Sequence, residues 1–249
     1  MAEGFAVIDE QVELTRIGDF SMNGLCSAIL EQHQSTIRTR KPHVAVAKLA
    51  KIVDTILKLS NKQGFHATSL REISIVSGVS MGGLYSYFDS KDTLLMMILG
   101  QVSTSVTAVL ESAPASVAGD PAAHLRWLIK AHVTLTETML PWFVFSFMEA
   151  KSFPPVGRKM AVKSEEWTER VFSDVLSRGV DAGVFAIDRP EFTASLIKPM
   201  LQDWYVKRSK WRRRSISAPE YSEMVCAFIE AAIGVKPGSR AEETPRPQA

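Results

Sequence analysis

Three serines and a glycine set the tightest limit on how this chain can fold. In "HATSLREISIVSGVSMGGLYSYFDSKDTLL", residues 66–95, Ser69 and Glu72 form an S-x-x-E capping box. Its hydroxyl accepts from the N3 amide while its carboxylate reaches back to the N-cap amide. Leu70, Ile73 and Val76 then share a face, and Gly78 stands where a helix C-terminus needs positive φ. Ser80 caps a second short helix carrying Leu84, Tyr87 and Phe88. Ser90 caps a third, with Asp92 favourable to its dipole. Upstream, Val46, Leu49, Ala50, Val53, Leu57 and Ser60 repeat at helical spacing, with Pro42 as entry and Gly64 as stop. Two short capped helices joined by a glycine turn behind a longer helix make a helix-turn-helix unit.

Gly78, Ser80 and Gly82 also spell G-x-S-x-G, the nucleophile elbow of serine hydrolases. That chemistry needs a preceding strand, a parallel sheet, and an acid and then a histidine later in the chain. The histidines after Ser80 are His124 and His132, both in one helical segment, and the remaining patterns are helical. A cap explains Ser69, Glu72, Gly78, Ser80 and Ser90 together. A nucleophile explains Ser80 alone, so the protein is expected not to be an enzyme.

Beyond residue 110 the helical signals continue. Leu125, Leu128, Ile129, His132, Leu135, Thr136 and Met139 form a stripe ending at Pro141. "WFVFSFM", residues 142–148, is apolar on all sides and predicts burial. A further helix carries Trp167, Val171, Val175 and Leu176, and another runs from Pro190 to about Trp211 with a kink expected at Pro199. Tyr221, Met224, Val225, Phe228, Ile229, Ala232 and Ile233 make the cleanest stripe. The expected class is all-α. A flexible extension (1–40) is expected to precede a helix-turn-helix domain (41–100), a larger helical domain (101–234) and a disordered tail (235–249). Met22 is an alternative start.

Charge supports a polyanion partner. Residues 38–91 hold nine Lys/Arg against three acids, a net +6, leaving −4 for the rest of a chain whose formal charge is +2. A solvated helix face is the bland alternative. Cys26 and Cys226 match no metal or redox spacing, no cofactor is implied, and no Cys/His/Asp cluster suggests a metal. Ordinary thiols, no apolar run of 18 residues and an acidic N-terminus predict a cytoplasmic protein that does not enter membranes.

The segment "TSLREISIVSGVSMGGLYSYFDSKDTLL" resembles the N-terminal domain of TetR family transcriptional regulators, over about residues 45–99. The resemblance implies a ligand-responsive homodimer, in most cases a repressor, on a pseudo-palindromic double-stranded DNA operator. Residues 80–86 would be the recognition helix. Thr68, Ser69, Ser80, Met81, Gly82, Gly83, Tyr85, Tyr87 and Lys91 would lie at the DNA. Tyr85, Lys91 and Thr68 would take phosphates, and Tyr87 would either do so or pack beside Phe88. Gly82 suits close backbone approach, and Met81 suits thymine methyl contacts. Arg38, Arg40 and Lys41 form either a minor-groove arm or a solubilising stretch.

The resemblance also implies that 101–234 is an effector-binding and dimerisation domain that takes a small-molecule effector. Trp142, Phe143, Phe147, Met148 and Trp167 are the candidate walls of an apolar or acyl site. His132 on its apolar face reads as a hydrogen-bonded core residue before an effector ligand. "KRSKWRRR", residues 207–214, reads as a helix C-terminus matched to its dipole, or as a clamp for a coenzyme A thioester. A helical interaction module without DNA binding is the remaining alternative.

Overall fold

The computed structural model describes residues 10–34, 37 and 42–234, and every regular element among them is helical. The chain opens with α1 (Glu10–Ile17) and α2 (Met22–Gln32), the latter capped by Ser21, whose Oγ accepts from the Gly24 amide at 3.1 Å. Leu14, Leu25, Cys26 and Ile29 are buried, α2 against α3 (Pro42–Gln63), and both α1 and α2 against the body beyond. Over the described residues 10–34, this corrects the flexible extension expected for 1–40. Glycines at 18 and 24 interrupt the local signal, and order comes from docking rather than from propensity. Residues 1–9, the cationic Arg38, Arg40 and Lys41, and the tail 235–249 lie outside the described residues.

Next come α4 (Leu70–Ser77), α5 (Met81–Leu84) and α6 (Lys91–Leu110). By length and composition α6 is apolar enough to cross a membrane. Its apolar sides are instead buried under α1, α2 and the helices that follow, which makes it the central rod of the fold. After α7 (Ala115–Ala118), Asp120 caps α8 (Pro121–Thr138) by accepting from the Ala122 and Ala123 amides. Then come α9 (Leu140–Met148), α10 (Pro155–Asp181), α11 (Pro190–Val206), α12 (Arg208–Arg213) and α13 (Ala218–Ala232). Pro199 lies within α11 without ending it.

Helix α10 packs along α6, α8 and α11, and α13 lies on α8. Arg126 of α8 bridges Glu223 and Glu230 of α13 at 2.6 Å each, and Lys130 adds a second bond to Glu223. The long stripe of α13 is split by this docking. Tyr221, Val225, Cys226, Ile229 and Ile233 turn inward, whereas Met224 and Phe228 face out. Burial pushes both thiols, Cys26 and Cys226, up to about 12, so they stay protonated and inert.

Leu25→Ala and Ile29→Ala should each lower the unfolding free energy by about 2–4 kcal/mol in urea titrations, as expected for large-to-small changes in a packed core. Changes below about 0.5 kcal/mol would mean that α2 is not part of the cooperative core.

Candidate nucleic-acid interface

The helix-turn-helix is assembled by its caps. Ser69 Oγ accepts from the Glu72 amide at 3.1 Å, Ser80 Oγ from the Gly83 amide at 3.2 Å and Ser90 Oγ from the Thr93 amide at 3.1 Å. Gly78 turns the chain at φ 68°, where a side chain would be strained. Ser74 Oγ closes the turn by donating to the Val79 carbonyl at 2.7 Å. One half of the expected capping box is missing. The Glu72 carboxylate accepts from Gln63 Nε2 at 2.7 Å instead, tying α4 to the end of α3.

Ser80 is therefore a cap. His124 is bonded to Arg178, and His132 is buried beside Lys198, both in the C-terminal domain. The elbow pattern has no histidine to work with.

Ser69, Ser80, Gly82 and Tyr85 form the exposed face of the unit, with Met81 and Gly83 half-buried. α5 is a single turn, so Tyr85 lies just past it and the expected recognition element 80–86 is a cap, a turn of helix and a bend. The two glycines differ. A Cβ on Gly82 would meet nothing within 4 Å, so internal packing does not require glycine there. A Cβ on Gly83 would come within 2.9 Å of Val79 Cγ1, so packing alone accounts for that glycine. Lys48, Lys51, Lys58 and Lys62 of α3 and Arg71 of α4 are exposed on the same domain.

Three residues expected at DNA are used inside the fold. Thr68 is fully buried, and its Oγ1 donates to the Gly64 carbonyl at 2.9 Å. Tyr87 is 2 % exposed and sits with Phe88 in the core, where burial raises its phenol pKa. Lys91 Nζ donates to the carbonyls of Phe65 (2.8 Å), His66 (3.2 Å) and Thr68 (2.9 Å) and stands 4.5 Å from the centre of the Phe65 ring. An ammonium has three N–H groups, and all three are engaged. Burial lowers the Lys91 pKa, and Asp92 partly opposes this.

The carbonyls that Lys91 holds belong to a junction that periodicity does not reveal. The Phe65 amide donates to Glu149 Oε2 at 2.8 Å, and its ring meets Phe145 and Phe153 edge-on at 5.9 and 6.2 Å. The turn between α3 and α4 is thereby clamped onto the end of α9. The only sequence hint was an aromatic directly after the Gly64 stop.

In the C-terminal domain, Trp142 and Phe143 are buried and Trp167 is half-buried against the core. Phe147 (41 % exposed) and Met148 (57 %) correct the expectation that 142–148 is buried throughout. Phe143 and Phe147 both contact Tyr205 of α11, at 5.6 and 6.1 Å between ring centres. Three of the six cations in the basic run 207–214 are paired within the domain. Arg208 forms a two-bonded pair with Glu137, and Lys207 and Lys210 share Asp203.

Residues 52–96 match the family described as "Bacterial regulatory proteins, tetR family", and residues 118–228 match "Tetracyclin repressor-like, C-terminal domain". The HTH-type transcriptional repressor KstR of Mycolicibacterium smegmatis is 25% identical over 194 residues, which is 75% of this chain and 87% of that protein. The crystal structure of the TetR family regulator PfmR from Thermus thermophilus is 25% identical, with a TM-score of 0.61 over 74% of this chain and 94% of that one. A tetR family regulatory protein from Rhodococcus RHA1 shares the fold at 22% identity and TM-score 0.63, over 76% and 96% of the two chains. Capped helix-turn-helix, helical C-terminal domain and these matches agree, and the chain belongs to the tetR family of bacterial regulatory proteins.

Proposed function

We propose that the protein is a cytoplasmic repressor that binds a pseudo-palindromic operator as a homodimer and is released by a small apolar or acyl effector. Family membership makes it a ligand-responsive DNA-binding regulator rather than an enzyme. The repressor sign draws on KstR of two mycobacterial species, which are named repressors. The observation that carries the reading is the junction at Phe65. It joins the exposed helix-turn-helix face to α9, whose other residues reach the core of the C-terminal domain.

DNA reading falls to the exposed set. The face from Ser69 to Tyr85 enters the major groove, with Met81 toward base edges and Ser69, Ser80 and Tyr85 toward phosphates. Gly82 allows the backbone to approach closely. Lys91, Thr68 and Tyr87 shape the unit rather than touching DNA. Dimerisation uses the outward faces of α11 and α13. Phe192, Leu196, Met224 and Phe228 (65 % exposed) are too large an apolar set for a solvated surface. A coenzyme A clamp at 207–214 is left with Arg212, Arg213 and Arg214, because Lys207, Arg208 and Lys210 already hold acids.

DNA selected from random-sequence pools should contain two related half-sites, and its affinity should fall with salt at a log–log slope of about −0.9 per phosphate neutralised. Gly82→Ala should leave thermal stability equal or slightly higher, since alanine favours the helix, while weakening DNA binding by about tenfold. Lys91→Met should do the reverse, costing about 1–3 kcal/mol of stability with an unchanged salt slope. A lost phosphate contact, seen as a shallower slope, would return Lys91 to the interface. No salt-sensitive binding to any DNA would leave the interaction-module reading instead.

Phe228→Glu combined with Phe192→Glu should convert a dimer to a folded monomer in light scattering at micromolar concentration. A wild-type monomer, or a double variant that remains dimeric, would remove these helices from the interface.

A further inference from the structure

Lys198 lies on the buried stripe of α11, between Ile197 and Leu201, and is 7 % exposed. Its Nζ stands 3.3 Å from Nε2 of His132 on α8. Among the described residues His132 is its one hydrogen-bond partner, and no carboxylate forms an ion pair with it. An ammonium can only donate, so Nε2 accepts and the neutral ring carries its proton on Nδ1. That nitrogen is buried and has no partner. The core of the C-terminal domain thus holds an ammonium with N–H groups to spare and an imidazole N–H, and neither has a counter-charge. Buried polar groups are ordinarily satisfied, and an uncompensated buried cation is strongly unfavourable. The nearest acids do not fill the gap. Glu165 and Glu169 of α10 act on the ammonium from longer range, and they accept from Gln202 (2.7 Å) and Ser195 (3.1 Å).

A line of rings leads from this pair to the surface. Phe143 lies 6.3 Å from His132, Tyr205 lies 5.6 Å from Phe143, and the half-exposed Phe147 lies 6.1 Å from Tyr205. What is missing at the buried end is an acceptor with negative charge, and the rings packed between it and the surface are apolar. We propose that Lys198, positioned by His132, anchors a carboxylate on the effector, whose apolar body lies along Phe143, Tyr205 and Phe147. This rests on the reading of the C-terminal domain as the effector domain and names the chemical class that it takes. The carboxylate accepts from the ammonium's spare N–H groups, while His132 Nε2 keeps its bond to Nζ and holds the ammonium in place. Phe143 and Phe147 belong to α9, so a ligand there bears on the helix that holds Phe65.

The test uses the full-length protein with octanoate and benzoate as probes, and their methyl esters as uncharged matches. Thermal unfolding of wild type should rise by about 3–6 °C at tenfold excess of the acid over its Kd, and the esters should give no comparable shift. Lys198→Met replaces a buried charge with an apolar chain of similar length, so the variant should fold at least as well as wild type. It should lose the response to both acids. Wild type also gives a readout that needs no variant. Burial lowers the Lys198 pKa to about 8, opposed by Glu165 and Glu169. Below that pH the ammonium is already formed. Above it the bound carboxylate must draw in a proton, so affinity should fall about tenfold per unit between about pH 8.5 and 10. Burial, together with Lys198, keeps His132 neutral in this range, and burial pushes Tyr205 well above it. Equal shifts from acid and ester, an undiminished response in Lys198→Met, a flat affinity above pH 8.5, or no shift with either acid at millimolar concentration would each overturn the assignment. Because these readouts contain no DNA, they fail or succeed independently of operator binding.

Discussion

The turn at Phe65 is where the two halves of the molecule become one. Its amide is held by Glu149, its carbonyl by Lys91, and its ring by Phe145 and Phe153. The reading unit beyond it could not hold itself. Its helices have eight and four residues, far below the length at which a helix is stable alone. Caps satisfy their open amides, but their orientation comes from the core of Leu49, Ile73, Leu84 and Phe88 and from this clamp. The clamp therefore ties the placement of the helix-turn-helix to the end of α9.

That dependence gives a physical form to the proposed regulation. The polar pair in the effector domain touches Phe143, and the clamp uses Phe145 and Glu149 of the same helix and its end. The two sites are thus separated by one short element. A coupling of about 1–3 kcal/mol, typical of allosteric proteins, would suffice. The buried Lys198 weakens the fold in the absence of a counter-charge, as binding sites often do.

Charge is distributed to the same end. On the C-terminal domain the charges nearly balance, sixteen Lys/Arg against fifteen acids over 101–234, and five of the cations are held in ion pairs: Arg126 and Lys130 by Glu223 and Glu230, Arg208 by Glu137, Lys207 and Lys210 by Asp203. On the N-terminal domain Lys48, Lys51, Lys62 and Arg71 stay exposed, and of the ion pairs there Lys58–Asp54 is an exposed one. Attraction for a polyanion is thereby concentrated on the reading domain, although the net charge of the whole chain is small.

Local chemistry determined the all-α class and the helix-turn-helix. Caps at Ser69, Ser80 and Ser90 and the positive φ at Gly78 depend on neighbours within a few residues, and those are written in order along the chain. What such patterns cannot specify is which side of a residue meets the rest of the protein. Lys91 and Thr68 carry the same chemistry whether they face a phosphate or a carbonyl, and only packing turned them inward. The α13 stripe is apolar all along, and packing turned Tyr221 in, against Trp204 and Trp211 with its hydroxyl on the Met200 carbonyl, and left Phe228 out. Likewise α2 has too weak a signal to form alone and is ordered by burying Leu25 and Ile29. No local pattern singled out Lys198, and its meaning required His132, 66 residues away, to be brought to 3.3 Å. Tertiary structure decides these points because burial and pairing depend on contacts between distant segments, and no local sequence pattern specifies those contacts.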